Sequence, residues 1–202
     1  MIVFAREVFV CKCTTKVPPE LDADAAELGD MARSMSFIRG TERELALVDP
    51  AHHDPAHVAE LRQRLERGEW WMVGIVDGKI LTYTWLHTRP SIEYPYLPGC
   101  TFEVAGDVGY GYDAWTPPEL RGGGLRRRAF TEELRILSAE GKAWEASFFV
   151  KHQLEGAQRS LTKAGIDIVP LWRVKLVGKD KLAVERLAED TSTRPAFSAA
   201  AG

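Results

Sequence analysis

The sequence predicts one domain of mixed α/β or α+β class. Three observations carry this reading. Helical periodicity comes early, over 22–37 and 54–68. Asp77-Gly78 stands between two apolar runs, a strong hairpin signal. The pattern then alternates strand, helix, strand, helix, strand up to residue 177, with no repeat and no linker-like stretch dividing it.

Residues 2–14 are rich in β-branched and aromatic side chains and read as one or two strands, closed by Val17-Pro-Pro. Leu21, Ala25, Leu28, Met31, Ala32 and Met35 set the first helical stripe, and Glu44–Val48 reads as a short strand. Asp54-Pro55 is an N-cap and first-turn pair for a helix over 54–68, whose stripe is Val58, Leu61 and Leu65. Trp70–Val76 and Lys79–His87 are the hairpin arms. Thr88–Gly99 holds three prolines and reads as an irregular excursion, and Tyr94 and Tyr96 are candidate pocket residues in it. Thr101–Thr116 reads as a long strand with a break or bend at Gly106-Asp107. Leu125–Ser138 is a helix with Ala129, Phe130, Leu134 and Leu137 on one side. A strand over 143–150, a helix over 153–164, a strand over 166–177 and a short helix over 182–188 follow. The domain is expected over 1–190, with a loose Ser/Thr/Ala/Pro tail over 191–202.

Bulk properties narrow the function. The chain has 202 residues, 45% of them hydrophobic and 27% charged, with a net charge of −3. That is an ordinary globular composition, and the charge gives no reason to expect a nucleic-acid partner. No apolar window is long enough to span a bilayer, and a charged N-terminus makes a poor signal peptide, so a cytoplasmic location is expected. The three cysteines, Cys11, Cys13 and Cys100, suit a reducing compartment and read as small strand hydrophobes. His52, His53 and His57 flank a helix start without a carboxylate at ligand spacing, so they read as capping or surface residues and no metal is expected.

One stretch carries chemistry. Gly122, Gly123 and Gly124 separate a strand from a helix, among Arg121, Arg126, Arg127 and Arg128. A glycine turn lets a ligand approach the main chain, and the helix start offers unpaired N–H groups and partial positive charge. Local positive charge on a mildly acidic chain suits a small phosphate-bearing ligand. The motif is not G-x-x-x-x-G-K-[ST]. Gly109-Tyr-Gly-Tyr-Asp-Ala114 matches the loose dinucleotide pattern, but Trp115-Thr-Pro-Pro follows where a helix should open, so that match is set aside.

Arg121-Gly-Gly-Gly-Leu-Arg126 resembles the R/Q-x-x-G-x-G/A acyl-coenzyme A signature of the GNAT superfamily of N-acetyltransferases. The resemblance runs from Thr101 to Val177 and includes Leu161-Thr-Lys-Ala-Gly-Ile166, similar to the family's Y-x-K-x-G-F. It implies a mixed, mostly antiparallel twisted sheet with helices on both faces. It implies coenzyme A or acetyl-CoA as acyl donor and an amine as acceptor. The pyrophosphate would sit on the N–H groups of Gly122, Gly123, Gly124, Leu125 and Arg126. The 3′-phosphate would sit on Arg126 or Arg127. The pantetheine arm would pair with main chain at Trp115 and Thr116, where this strand splays from the next. Arg126 stands where the family has glycine or alanine. Leu161 replaces the tyrosine that protonates the thiolate, and Leu154 replaces an asparagine.

Amide formation needs a proton acceptor near the strand end. Asp113 is the first candidate base and Tyr112 the second, as base or acid. His87 and His152, at strand ends, are minor candidates. Strand alternation places Tyr110 and Tyr112 on one face, and Asp113 with Gly111 and Trp115 on the other. Transfer of a longer acyl chain, from acyl-CoA or an acyl carrier protein, is one alternative. A CoA-binding regulatory module without turnover is another, and nucleotide or phosphate-ester binding at the glycine loop is a third. The acceptor and the oligomeric state, a homodimer included, stay open.

Overall fold

A computed structural model of the chain describes residues 7–17, 29–87, 91–93, 100–103, 105–149, 151–162, 165–177, 181–189 and 196–199. They fall into two compact units, one from 1–16, 88–110 and 137–202, the other from 17–87 and 111–136.

The first unit is built on β1 (Glu7–Thr14), which pairs antiparallel with β8 (Trp144–Phe149) on one side and β9 (Val169–Val177) on the other. β9 pairs in turn with β10 (Lys181–Arg186). Helix α5 (Lys151–Thr162) buries Leu154 and Leu161, and Ile166 just beyond it is buried too. A separate three-stranded sheet joins β5 (Ser91–Glu93), β6 (Cys100–Glu103) and β11 (Ala196–Ala199). Residues 182–188 are thus mainly strand, not the expected helix. Leu182 and Val184 alternate along an edge that pairs with Leu176 and Val174, and sheet pairing overrides a weak local helix preference. Part of the expected tail forms β11.

The second unit carries β2 (Ser36–Arg39), β3 (Trp70–Val76), β4 (Lys79–His87) and the Gly111–Trp115 end of β7 (Val108–Trp115). β2 and β3, and β3 and β4, pair antiparallel. Asp77 (φ 49°) and Gly78 (φ 75°) close the β3–β4 hairpin in the left-handed region, as the sequence requires. Helices cover both faces. On one, Leu45 of α2 (Glu42–Leu45) and Leu61 of α3 (Pro55–Glu66) pack on Trp71, Val73, Ile80, Tyr83 and Trp85. On the other, Ala32 of α1 (Asp30–Ser34) packs with Met35 and with Leu125 of α4 (Leu125–Ala139), and Ala129 of α4 packs on Met72 and Leu86.

Two expectations change. The helix expected over 22–37 is, among the described residues, only α1. Met35 turns extended (φ −69°, ψ 127°), and Phe37 and Ile38 pair as β2 with Gly74 and Val73. Residues 18–28, where that helix was expected to start, lie outside the described residues. The strand expected over 44–48 is replaced by the one-turn α2. Thr41 accepts from the Arg43 N–H, while Glu44 accepts from the Thr41 N–H and hydroxyl. This is a capping box, legible as Thr41-x-x-Glu44. The break expected at Gly106-Asp107 does divide the strand expected over 101–116, into β6 and β7.

Candidate active site

The glycine turn lies in the second unit. Gly122 (φ 91°) and Gly124 (φ 82°) both occupy the left-handed region, where a side chain costs about 1–2 kcal/mol. The turn is exposed from Arg121 to Gly123. Gly124 O accepts from the Arg128 N–H at 2.9 Å, which makes Gly124 the cap of α4. The helix therefore starts with the N–H groups of Leu125, Arg126 and Arg127 lacking an intrahelical partner. Arg121 Nε donates to Thr116 O at 3.1 Å, tying the turn to the strand end. Arg126 runs along α4, its guanidinium 5.4 Å from the Phe130 ring centroid and 3.3 Å from Glu133 Oε2. It departs from the small residue of the signature by lying along its own helix.

β7 enters this turn through an irregular end. Asp113 has φ 49°, and a left-handed residue inside a strand breaks the side-chain alternation. Tyr112 and Trp115 consequently pack on the same cluster, against Tyr83, Trp85 and Leu61. The expectation that they lie on opposite faces is corrected. The carbonyl groups of this end are met by side chains: Thr84 Oγ1 donates to Tyr112 O at 3.3 Å, and Thr82 Oγ1 donates to Trp115 O at 2.8 Å.

Asp113, the first candidate base, is committed. Arg64 Nη1 donates to its Oδ2 at 2.5 Å, and Glu60 takes the other end of the same guanidinium. Arg64 is 4% exposed and lies against the Trp85 and Tyr112 rings, at 5.4 and 5.2 Å. Burial works against its charge, and Asp113 and Glu60 outweigh that, holding it above the usual arginine range. Tyr112, the second candidate, donates its hydroxyl to Glu69.

The sequence reading placed the histidines on the surface or at caps; His52 is exposed and His57 half-buried, and the structure corrects the reading for His53. His53 is 7% exposed. Its ring stacks on His57 at 4.8 Å and meets Trp115 at 4.4 Å and Tyr83 at 5.7 Å. Tyr83 stacks on Trp115 at 5.4 Å, and its hydroxyl lies 3.1 Å from His57 Nε2. His52 reaches Glu119 at 3.0 Å. Burial first, then the neighbouring His57 and His52, push the His53 imidazole down to about 4, so it is neutral at pH 7. Its Nε2 is buried without a hydrogen-bond partner among the described residues. These residues come from the α2–α3 connection, α3, β4 and β7, so no local pattern groups them. Asp54 Oδ1 caps α3 at the His57 N–H, but a cap alone does not mark its neighbours as buried. Among the described residues no three His, Cys, Asp or Glu side chains form a group that could hold a metal ion.

The first unit offers less chemistry. Leu154 and Leu161 are core residues of α5, and Lys163 lies outside the described residues. Cys11 and Cys13 are buried, burial pushes the Cys11 thiol up to about 12, and Cys13 Sγ donates to Glu145 Oε2 at 3.2 Å. Tyr94 and Tyr96 also lie outside the described residues, and no helix among those described is long and apolar enough to cross a membrane.

No family model and no curated protein matches the chain. Solved structures do. A GCN5-related glucosamine N-acetyltransferase region of a fungal multi-domain β-N-acetylglucosaminidase aligns over 81% of this chain and 20% of its own, with TM-score 0.54 and 14% identity. A GNAT-family acetyltransferase from Colwellia psychrerythraea aligns over 81% and 53%, with TM-score 0.52 and 14% identity. A putative GNAT-family acetyltransferase from Novosphingobium aromaticivorans aligns over 82% and 61%, with TM-score 0.51 and 15% identity. The chain spans between a fifth and three-fifths of the length of these proteins. It has the fold of these GNAT-family acetyltransferases.

Proposed function

We propose that the chain is an acyl-CoA-dependent N-acyltransferase, with acetyl as the simplest acyl group and an amine as acceptor. One observation carries this reading: two left-handed glycines, Gly122 and Gly124, open a fifteen-residue helix, one short 3-10 turn (Pro118–Leu120) beyond an irregular strand end. The N–H groups of Leu125, Arg126 and Arg127 would take the pyrophosphate of coenzyme A. Because Arg126 is drawn towards Glu133, Arg127 is the better partner for the 3′-phosphate. Trp115 and Thr116 would meet the pantetheine arm. Bound coenzyme A supplies the activated acyl group as a thioester. The chain's own part is to hold that group at the strand end and to accept the amine proton.

Asp113 and Tyr112 serve this site as framework. Asp113 balances the buried Arg64, and Tyr112 stacks on that guanidinium. Held by the buried Arg64, Asp113 fixes the geometry of the strand end. A second reading is a CoA-binding module without turnover. Buried Leu161 favours it, since a leucine there cannot protonate a thiolate. Calorimetric titration with acetyl-CoA and coenzyme A tests binding; no heat at millimolar ligand rejects both readings. Thiol release across an amine panel then separates enzyme from module.

A further inference from the structure

We propose that the outer edge of β10 is an interface between two copies of this chain, in which β10 of one copy pairs antiparallel with β10 of the other about a two-fold axis at Ala183. The interface belongs to the first unit and does not depend on the acyltransferase reading.

Among the described residues β10 ends its sheet and pairs with β9 alone. Alternate residues of an antiparallel strand turn their N–H and C=O groups to opposite sides, so half of these groups on β10 point away from β9. The six residues pair with β9 without a register shift and include no proline. No bulge and no proline therefore turns this edge away from a partner strand. The residues from Ala183 to Arg186 are all exposed. Val184 is the informative one. Val8, Val174 and Val184 stand side by side across β1, β9 and β10, on one face of the sheet. Val8 and Val174 are fully buried, whereas Val184 is 43% exposed. The core face of this sheet thus runs out to an uncovered edge, which a further strand would bury.

The order of residues in Lys181-Leu-Ala-Val-Glu-Arg186 selects a second copy as the occupant. A two-fold axis normal to the sheet pairs Ala183 with its own counterpart. It then sets Leu182 opposite Val184 and Lys181 opposite Glu185, each of them twice. Apolar positions meet on the core face and opposite charges on the other face, and both kinds of cross-strand pair are favourable. Glu185 already accepts from Arg173 Nε at 2.7 Å within its own copy, and a carboxylate has lone pairs for a second cation. The pleat allows the register to move only in steps that keep each residue on its face. The neighbouring registers, centred on Leu182 or on Val184, set Lys181 or Glu185 opposite Ala183 and lose both ion pairs. The sequence therefore specifies one self-complementary register.

Sedimentation of the full chain from micromolar to sub-millimolar concentration tests this, with circular dichroism of each variant to check its folding. The parent should pass from monomer to dimer. Val184→Lys places a charge on the core face of the edge and should weaken association by more than about tenfold. Lys181→Glu and Glu185→Lys each turn both ion pairs into like-charge pairs and should each weaken self-association by about tenfold. Mixed in equal amounts, these two variants should associate about tenfold more tightly than either does alone, because one copy then carries only acidic and the other only basic positions at 181 and 185. Should Val184→Lys fail to fold, the two charge variants decide alone. A parent that stays monomeric at sub-millimolar concentration overturns the proposal and leaves the edge to the strand of another protein. A dimer that Val184→Lys does not weaken, or a mixture no tighter than its components, overturns it as well, since the copies then meet elsewhere or in another register.

Discussion

The glycine turn, tied to Thr116 by Arg121, and the ring cluster, which holds Trp115, are built on opposite principles. The turn is exposed and made of main chain. Its chemistry lies in N–H groups at a helix start, so most side chains there can change if the left-handed glycines stay. The cluster is buried and made of side chains, and its chemistry depends on a dry, packed surrounding that keeps His53 neutral. A cofactor common to many acceptors suits the first design.

The largest effect expected falls on the turn. Gly124→Glu places a carboxylate and a β-carbon at φ 82°, against the assigned pyrophosphate. CoA affinity should fall more than about 100-fold while the circular-dichroism spectrum is retained. Unchanged affinity would move the cofactor elsewhere. Next is the buried ion pair beneath the cluster. Asp113→Asn tolerates φ 49° but leaves Arg64 short of one charge. It should cost about 2–4 kcal/mol in urea melts. Activity lost without a stability change would restore Asp113 as the base.

A pH effect then separates the two designs. His53 is held down to about 4, below the 6.5 of an unperturbed histidine. Between these values the unfolded chain takes a proton that the folded chain refuses, so stability falls as pH drops from 6.5 to 4. The loss is on the order of 2 kcal/mol and should vanish in His53→Phe. The smallest effect expected is at Arg126. With its guanidinium along α4 near Glu133, Arg126→Ala should change CoA affinity less than about threefold, and Arg127→Ala should change it more.

The same contrast governs what was legible. The turn is local: its residues are contiguous, and their order alone marks a strand, a left-handed turn and a helix start. The hairpin at Asp77-Gly78 and the helix behind Asp54-Pro55 were legible for the same reason. The cluster joins residues from 53 to 115 through tertiary packing, and single histidines beside a helix cap carry no sign of burial. The Arg64–Asp113 pair was equally hidden, and one left-handed residue was enough to defeat the alternation that separated Tyr112 from Trp115. Residues 36–39 and 181–186 became strands because neighbouring strands supply their pairing, a term that local periodicity does not contain.

Titration of the full chain with coenzyme A, parent against Gly124→Glu, tests the central claim most directly. The cofactor seat predicts saturable binding by the parent, abolished in the variant with the fold intact. No binding by the parent at millimolar coenzyme A, or equal binding by both, would contradict it.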